Sequence, residues 1–130
     1  MKSQESSETY LETILVLSKT KGAVRSIDIA NKLDYSKPSV SVAMKNLRES
    51  GHILVDESGY ITLTHSGQKI AETIDNRHQM LSSFLMALGV DEKTAVEDAC
   101  RIEHIISSQS FKKISEHLAQ LQSLHFTNKK

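Results

Sequence analysis

"SIDIANKLDYSKPSVSVAMKNLRESGHILVDESGYITLT" occupies residues 26–64, and its hydrophobic period changes along its length. Ile27, Ile29, Ala30 and Leu33 share a short helix that Ser26 is placed to cap. After a tight break, Ser36 reads as the N-cap of a second helix, with Pro38 in its first turn, where a missing N–H does no harm. Val40, Met44 and Leu47 form the inward stripe of that helix, and Gly51 is a natural stop just past its end. From His52 the period becomes two. Ile53 and Val55 alternate with Leu54 and Asp56, "DESG" makes a turn, and the β-formers Tyr60 to Thr64 return as a second strand.

Upstream, "ETYLETILVLSK" at 8–19 has apolar residues at 10, 11, 14, 15 and 17, a helical spacing, which "KGAV" interrupts. Helix, short helix, turn, helix, hairpin is the element order of a winged helix-turn-helix. In such a unit the second helix of the motif enters the major groove with its N-terminal residues toward base edges. Those residues are Ser36, Lys37, Pro38, Ser39, Ser41 and Val42. Hydroxyls reach phosphates or bases, and the Val42 methyls suit a thymine methyl. Lys45, Arg25 and the wing tip at Ser58–Tyr60 fall near the backbone.

Charge is consistent with a local DNA surface only. The chain has 130 residues, 16 basic and 16 acidic, so a globally basic protein is excluded. Between positions 32 and 48, however, Lys32, Lys37, Lys45 and Arg48 face Asp34 alone. The N-terminal "MKSQESSETY" lacks the apolar core of a signal peptide, and no run approaches the roughly 20 apolar residues of a membrane span. A single cysteine forms no internal disulfide, which suits a cytoplasmic location.

The second half reads as helical. Residues 66–88 carry a stripe of Ile70, Ile74, Leu81 and Leu85 that includes His78, and Gly89 ends it. The next helix opens with Asp91 as N-cap, and a last one runs from about Ser110 to Leu124 before a frayed tail, "HFTNKK". The fold class is therefore mainly α: a winged helix-turn-helix with a β-hairpin wing over residues 1–70, then a helical region over 71–130. "ACRIEH" at 99–104 is chemically distinctive. Positions i, i+3 and i+4 of a helix share a face, so Cys100, Glu103 and His104 project together, with Glu103 nearest the core stripe and His104 furthest round. A thiolate, a carboxylate and an imidazole at a core margin suit a divalent transition metal. Three ligands on one helix cannot close a coordination sphere; His78, and Glu12 with Thr9 on the first helix, are the other candidates. Each also has a plainer use: a lone Cys packs as a small hydrophobe, a His on an apolar stripe as a satisfied core residue, and Glu12 as a solvated surface charge.

"ETYLETI" at 8–14, "DIANKL" at 28–33, "SKPSVSVAMKNL" at 36–47, "LTHSGQKIA" at 63–71, "RHQML" at 77–81, "LGVDE" at 88–92 and "ACRIEH" at 99–104 together resemble the metal-dependent repressors typified by the diphtheria toxin repressor and the manganese transport regulator. The resemblance implies a cytoplasmic homodimer whose helical region binds metal and dimerises. It implies Fe(II) or Mn(II) as the metal, with Zn(II), Co(II) or Ni(II) able to substitute in vitro. It also implies binding of the metal-loaded dimer to a palindromic operator in double-stranded DNA, repression of metal-uptake genes, and no enzyme activity. Carried across, the ligands are Glu12, His78, Cys100, Glu103 and His104. Thr9, a weak ligand, stands where the iron branch has Met and the manganese branch Asp. Cys100 resembles the iron branch, and Glu12 and the short length resemble the manganese branch. Ser82 and Val96 replace the Glu and His of the iron branch's ancillary site. The competing reading is a winged-helix regulator that senses an organic ligand or a partner without metal.

Overall fold

The computed structural model describes the backbone of residues 2–128 and the side chains of residues 7–121. Its elements are α1 (Lys2–Thr20), α2 (Ser26–Leu33), α3 (Lys37–Glu49), β1 (Ile53–Val55), β2 (Ile61–Leu63), α4 (His65–Ala87), α5 (Glu92–Ile102) and α6 (Ser108–Asn128). The mainly helical class and the helix–helix–helix–hairpin order agree with the sequence reading. Two compact units are present, Met1–Thr73 and Ile74–Lys130.

In the first unit, helix ends are set by side chains and glycine. Ser36 Oγ accepts the Ser39 N–H at 3.3 Å, and Pro38 sits in the first turn of α3, where no intrahelical donor is lost. The C-terminus of α3 closes by two paired bonds: His52 N–H to Leu47 O at 3.0 Å and Gly51 N–H to Arg48 O at 3.1 Å. Gly51 supplies the positive φ of 82° that this closure needs. The cap of α2 differs from expectation. Arg25 rather than Ser26 is its N-cap, because Asp28, three residues on, accepts the Arg25 backbone N–H at 2.9 Å. Lys21 pairs with the same carboxylate.

Behind α3 lies the core. Val40, Met44 and Leu47 are buried with Leu11, Ile14 and Leu15 of α1, Ile29 of α2, and Ile53 and Ile61 of the hairpin. The hairpin is antiparallel, pairing Ile53 with Leu63 and Val55 with Ile61. Its period of two buries Ile53 and Ile61 and exposes Leu54. Ile61 N–H also bonds Val24 O at 2.8 Å, which extends the ladder by one bridge. Gly67, in the first turn of α4, lies directly against the His52 backbone; a Cβ there would overlap the His52 carbonyl.

In the second unit, Asp91 caps α5 as expected, accepting the Thr94 N–H at 3.1 Å. Gly89, at φ 106°, closes α4 through Val90 N–H to Leu85 O and Gly89 N–H to Met86 O, both 3.0 Å. Ile74, Leu81, Ala95, Ala99 and Leu118 are buried apolar residues of this unit. α6 starts at Ser108 rather than Ser110, because Ser107 Oγ accepts the Ser110 N–H at 3.1 Å and caps the earlier start. With no glycine or proline to stop it, α6 continues past Leu124 to Asn128 instead of fraying at 125. Lys129 and Lys130 of the expected frayed tail lie outside the described residues.

Two outcomes follow. An exposed helical Gly→Ala change usually gains about 1 kcal/mol. Gly67→Ala meets backbone, so it is expected to lose about 1–3 kcal/mol, read by urea denaturation. Asp28 is held below the usual carboxylate range, first by the Lys21 ammonium and then by the Arg25 N–H. A depressed folded value stabilises the fold above the unfolded value of about 4 and loses that contribution as pH falls. Wild type is therefore expected to exceed Asp28→Asn in unfolding free energy at pH 6, with the gap closing as pH drops below about 4.

Candidate metal centre and nucleic-acid interface

Glu103 is the C-cap of α5, and its residue is only 1% exposed. A carboxylate so deeply buried is costly unless partnered. Two imidazoles face it. His78 Nδ1, from the middle of α4, is 2.9 Å from Oε2, and His104 Nε2 is 3.4 Å from Oε1. Cys100, one turn earlier on α5 and exposed, places Sγ 3.7 Å from His78 Nδ1. One ligand atom from each of His78, Cys100 and Glu103 can be chosen so that all lie within 4.8 Å of one another. Ligands on a single ion stand at most roughly 4.6 Å apart at bond lengths of about 2.0–2.3 Å. Small side-chain adjustments therefore bring these three onto one cation. Thiolate, imidazole and carboxylate are a donor set suited to first-row divalent metals.

The α5 trio is arranged differently from a simple helical face. α5 ends at Ile102, and residues 103–105 form a turn. Leaving the helix swings His104 inward: its side chain is 9% exposed, whereas the helical wheel places it furthest from the core. His104 Nε2 stands beside the second oxygen of Glu103, so its imidazole also faces the cluster. Thr9 and Glu12 lie one turn apart on α1 in the first unit, both half-buried. Ser82, one turn beyond His78, is buried, and its hydroxyl lacks a hydrogen-bond partner among the described residues; Val96 is exposed on α5. Neither supplies a charged donor.

The other face is that of α3. Ser36, Lys37, Pro38, Ser39, Ser41, Val42 and Lys45 are all exposed, opposite the buried stripe. Val42, at 60%, is an apolar group held out to solvent by a rigid helix. The Ser36 hydroxyl lies 2.8 Å from that of Ser39 and can donate to it, which leaves the Ser39 proton to donate outward. The wing is preorganised as well. One Asp56 oxygen accepts the N–H groups of Ser58 and Tyr60, both at 2.9 Å, and Gly59 takes the left-handed turn position at φ 86°. The Arg25 guanidinium stacks 4.4 Å from the Tyr60 ring centre, tying the start of α2 to the wing.

Known proteins share this order of domains. A family model described as the iron-dependent repressor N-terminal DNA-binding domain matches residues 2–63. A second, the iron-dependent repressor metal-binding and dimerisation domain, matches residues 64–129. The chain belongs to the iron-dependent repressor family. As a member of that family it is a metal-dependent, DNA-binding transcriptional regulator. It is 33% identical over 111 residues to the HTH-type transcriptional regulator MntR of Lysinibacillus sphaericus (strain C3-41), covering 85% of this chain and 80% of that protein. The same identity and coverage of this chain hold for MntR of Bacillus subtilis (strain 168), of which it spans 78%. Among solved structures, the manganese regulator SloR matches with a TM-score of 0.78 at 29% identity, covering 87% of this chain and 53% of that one. The chain therefore spans about half the length of that structure. The family consists of transcriptional regulators rather than enzymes.

The sequence reading of the site named His78, Cys100, Glu103 and His104, but not Arg77. That residue donates to the backbone carbonyls of Glu103 and Ile106 at 3.2 and 3.1 Å. Nothing in the periodicity of α4 distinguishes it from any other polar residue beside the stripe.

Proposed function

We propose that this regulator represses metal-uptake genes when Fe(II) or Mn(II) is bound, acting as a cytoplasmic homodimer on a palindromic operator. Residues 1–70 are assigned to DNA and residues 71–130 to metal and dimerisation. The carrying observation is the buried Glu103 carboxylate, 2.9 Å from His78 and beside Cys100, in the part of the chain that matches a metal-binding domain. His78, Cys100, Glu103 and His104 are the proposed ligands. Glu12 joins them on the family resemblance, with Thr9 as the weakest candidate donor. When bound, the cation supplies the positive charge that holds carboxylate and thiolate donors together. Zn(II), Co(II) and Ni(II) are expected to bind the same donors in vitro.

On the DNA side, the reading turns Ser36, Lys37, Pro38, Ser39, Ser41 and Val42 at the start of α3 toward base edges, and places Arg25 and Lys45 near the phosphate backbone. The exposed N-terminal half of a helix backed by a buried stripe supports it. The site is given a sensing role and no turnover. A metal that prefers the DNA-competent state raises DNA affinity by some factor, and DNA must raise metal affinity by the same factor. That factor is expected to be about 5–150.

Reduced, metal-free protein titrated with Co(II) without oxygen is expected to show saturable binding and a near-ultraviolet thiolate band that Cys100→Ala abolishes. Repeating the titration with the best duplex selected from a random library is expected to tighten Co(II) binding by the factor just given. Saturable binding with no coupling to DNA would remove the regulatory link. No saturable binding would overturn the metal reading and favour an organic ligand or partner as the signal. Lys45→Ala is expected to weaken binding about equally for selected and random duplexes and to lower the slope of log affinity against log salt by about 0.9. An unchanged slope would remove Lys45 from the phosphate contacts.

A further inference from the structure

Consecutive residues of α4 take hold of the C-cap residue of α5 by different groups. His78 meets the Glu103 side chain, with Nδ1 2.9 Å from Oε2. Arg77 meets the Glu103 backbone, with Nη1 donating to its carbonyl at 3.2 Å. The same nitrogen donates to Ile106 O at 3.1 Å, and Nη2 donates to Ser108 Oγ at 3.4 Å. The guanidinium also lies 5.6 Å from the centre of the Phe111 ring, on the first turn of α6. One side chain thus spans the end of α5, the turn and the start of α6.

The turn needs such a partner. The last carbonyls of a helix have no intrahelical donor. α5 ends at Ile102, so Glu103 O and Ile106 O lie where the helical ladder has stopped. Arg77 satisfies both, and its charge suits the negative end of the α5 dipole. Its planar fork can hold several acceptors at fixed angles, which a lysine ammonium on a flexible stem cannot match.

We propose that Arg77 is a positioning residue of the metal centre: by clamping the carbonyls of Glu103 and Ile106 beside His78, it holds the α5–α6 turn in the one conformation that aims Glu103 and His104 at the donor cluster. Arg77 acts through the turn and is not itself a ligand. This rests on the metal reading above. It adds that the affinity of the site depends on a residue that offers no ligand atom. Groups that orient ligands commonly alter metal affinity by about 10–100-fold.

The test compares wild type with Arg77→Met, which keeps the apolar stem over Phe111, and Arg77→Lys, which keeps the charge but not the fork. Each is titrated anaerobically with Co(II) well below its unfolding temperature, after circular dichroism has established equal helix content. Hydrogen exchange of the metal-free proteins follows the amides of residues 103–108. Arg77→Met is expected to bind Co(II) about 10–100-fold more weakly, with altered visible bands and faster exchange confined to that turn. Arg77→Lys is expected to recover only part of the affinity. Equal Co(II) affinity and identical bands in folded Arg77→Met would overturn the proposal while leaving the metal reading standing. So would full recovery by Arg77→Lys, because charge alone would then suffice. Should Arg77→Met fail to fold, Arg77→Lys alone decides by the same two readouts. No Co(II) binding by wild type would overturn the metal reading and this proposal together.

Discussion

A carboxylate that is 1% exposed dictates the arrangement of its neighbours. Removing a charge from water costs several kcal/mol unless hydrogen bonds or opposite charge replace the lost solvation. Around Glu103 the replacement is local. His78 meets one oxygen, His104 approaches the other, and Cys100 stands beside His78. The small buried residues Ala95 and Ala99 line α5, and α4 places Ile74 and Leu81 on either side of His78 along its own buried stripe. The cluster thus sits at the margin of apolar packing, with Glu103 buried, His78 half-buried and Cys100 exposed; around the buried carboxylate electrostatic interactions are less screened than in water. A cation entering such a place gains more from each anionic donor than it would at an exposed acidic patch.

The DNA-facing unit solves a different problem, that of presenting polar groups rigidly on an exposed surface. It does so by anchoring the opposite side. Val40, Met44 and Leu47 fasten α3 to α1, α2 and the hairpin, so Ser39, Ser41 and Val42 are carried on a body that cannot easily rotate. Ser36 at one end and Gly51 at the other fix where that body begins and stops. The wing is held at its tip by Asp56 and beside the turn by the Val24–Ile61 bridge, with Arg25 stacked on Tyr60 next to it. A surface ordered in this way loses little further conformational entropy when a partner binds it, since most of it is already spent in folding.

Much of this was legible from residue order. The apolar stripes, the cap at Ser36, the glycine stops and the alternation at Ile53–Val55 are local rules, and the chain obeys them at those positions. Local rules failed where two capping solutions compete. Ser26 looks like a cap for α2, yet Asp28 reaches back to Arg25 and moves the helix start by one residue. Ser110 looks like the start of α6, yet Ser107 captures its N–H and the helix begins earlier. At α2 a carboxylate outcompetes a hydroxyl, whereas at α6 the two serines are alike and the geometry of the preceding turn chooses between them.

The sequence by itself determined the fold class, the identity of the exposed residues on α3, and the candidacy of Cys100, Glu103 and His104, because helical and strand periods decide which side chains share a face. Only the tertiary structure decided that Glu103 is buried, that His78 and His104 meet its two oxygens, and that His104 turns inward rather than lying on the outer side of α5. It alone revealed Arg77, whose contacts span from position 77 to positions 103–111. The physical reason is that periodicity describes a helix as though it continued. What happens where α5 stops is settled by the carbonyls it leaves unpaired and by whichever distant side chain arrives to bond them.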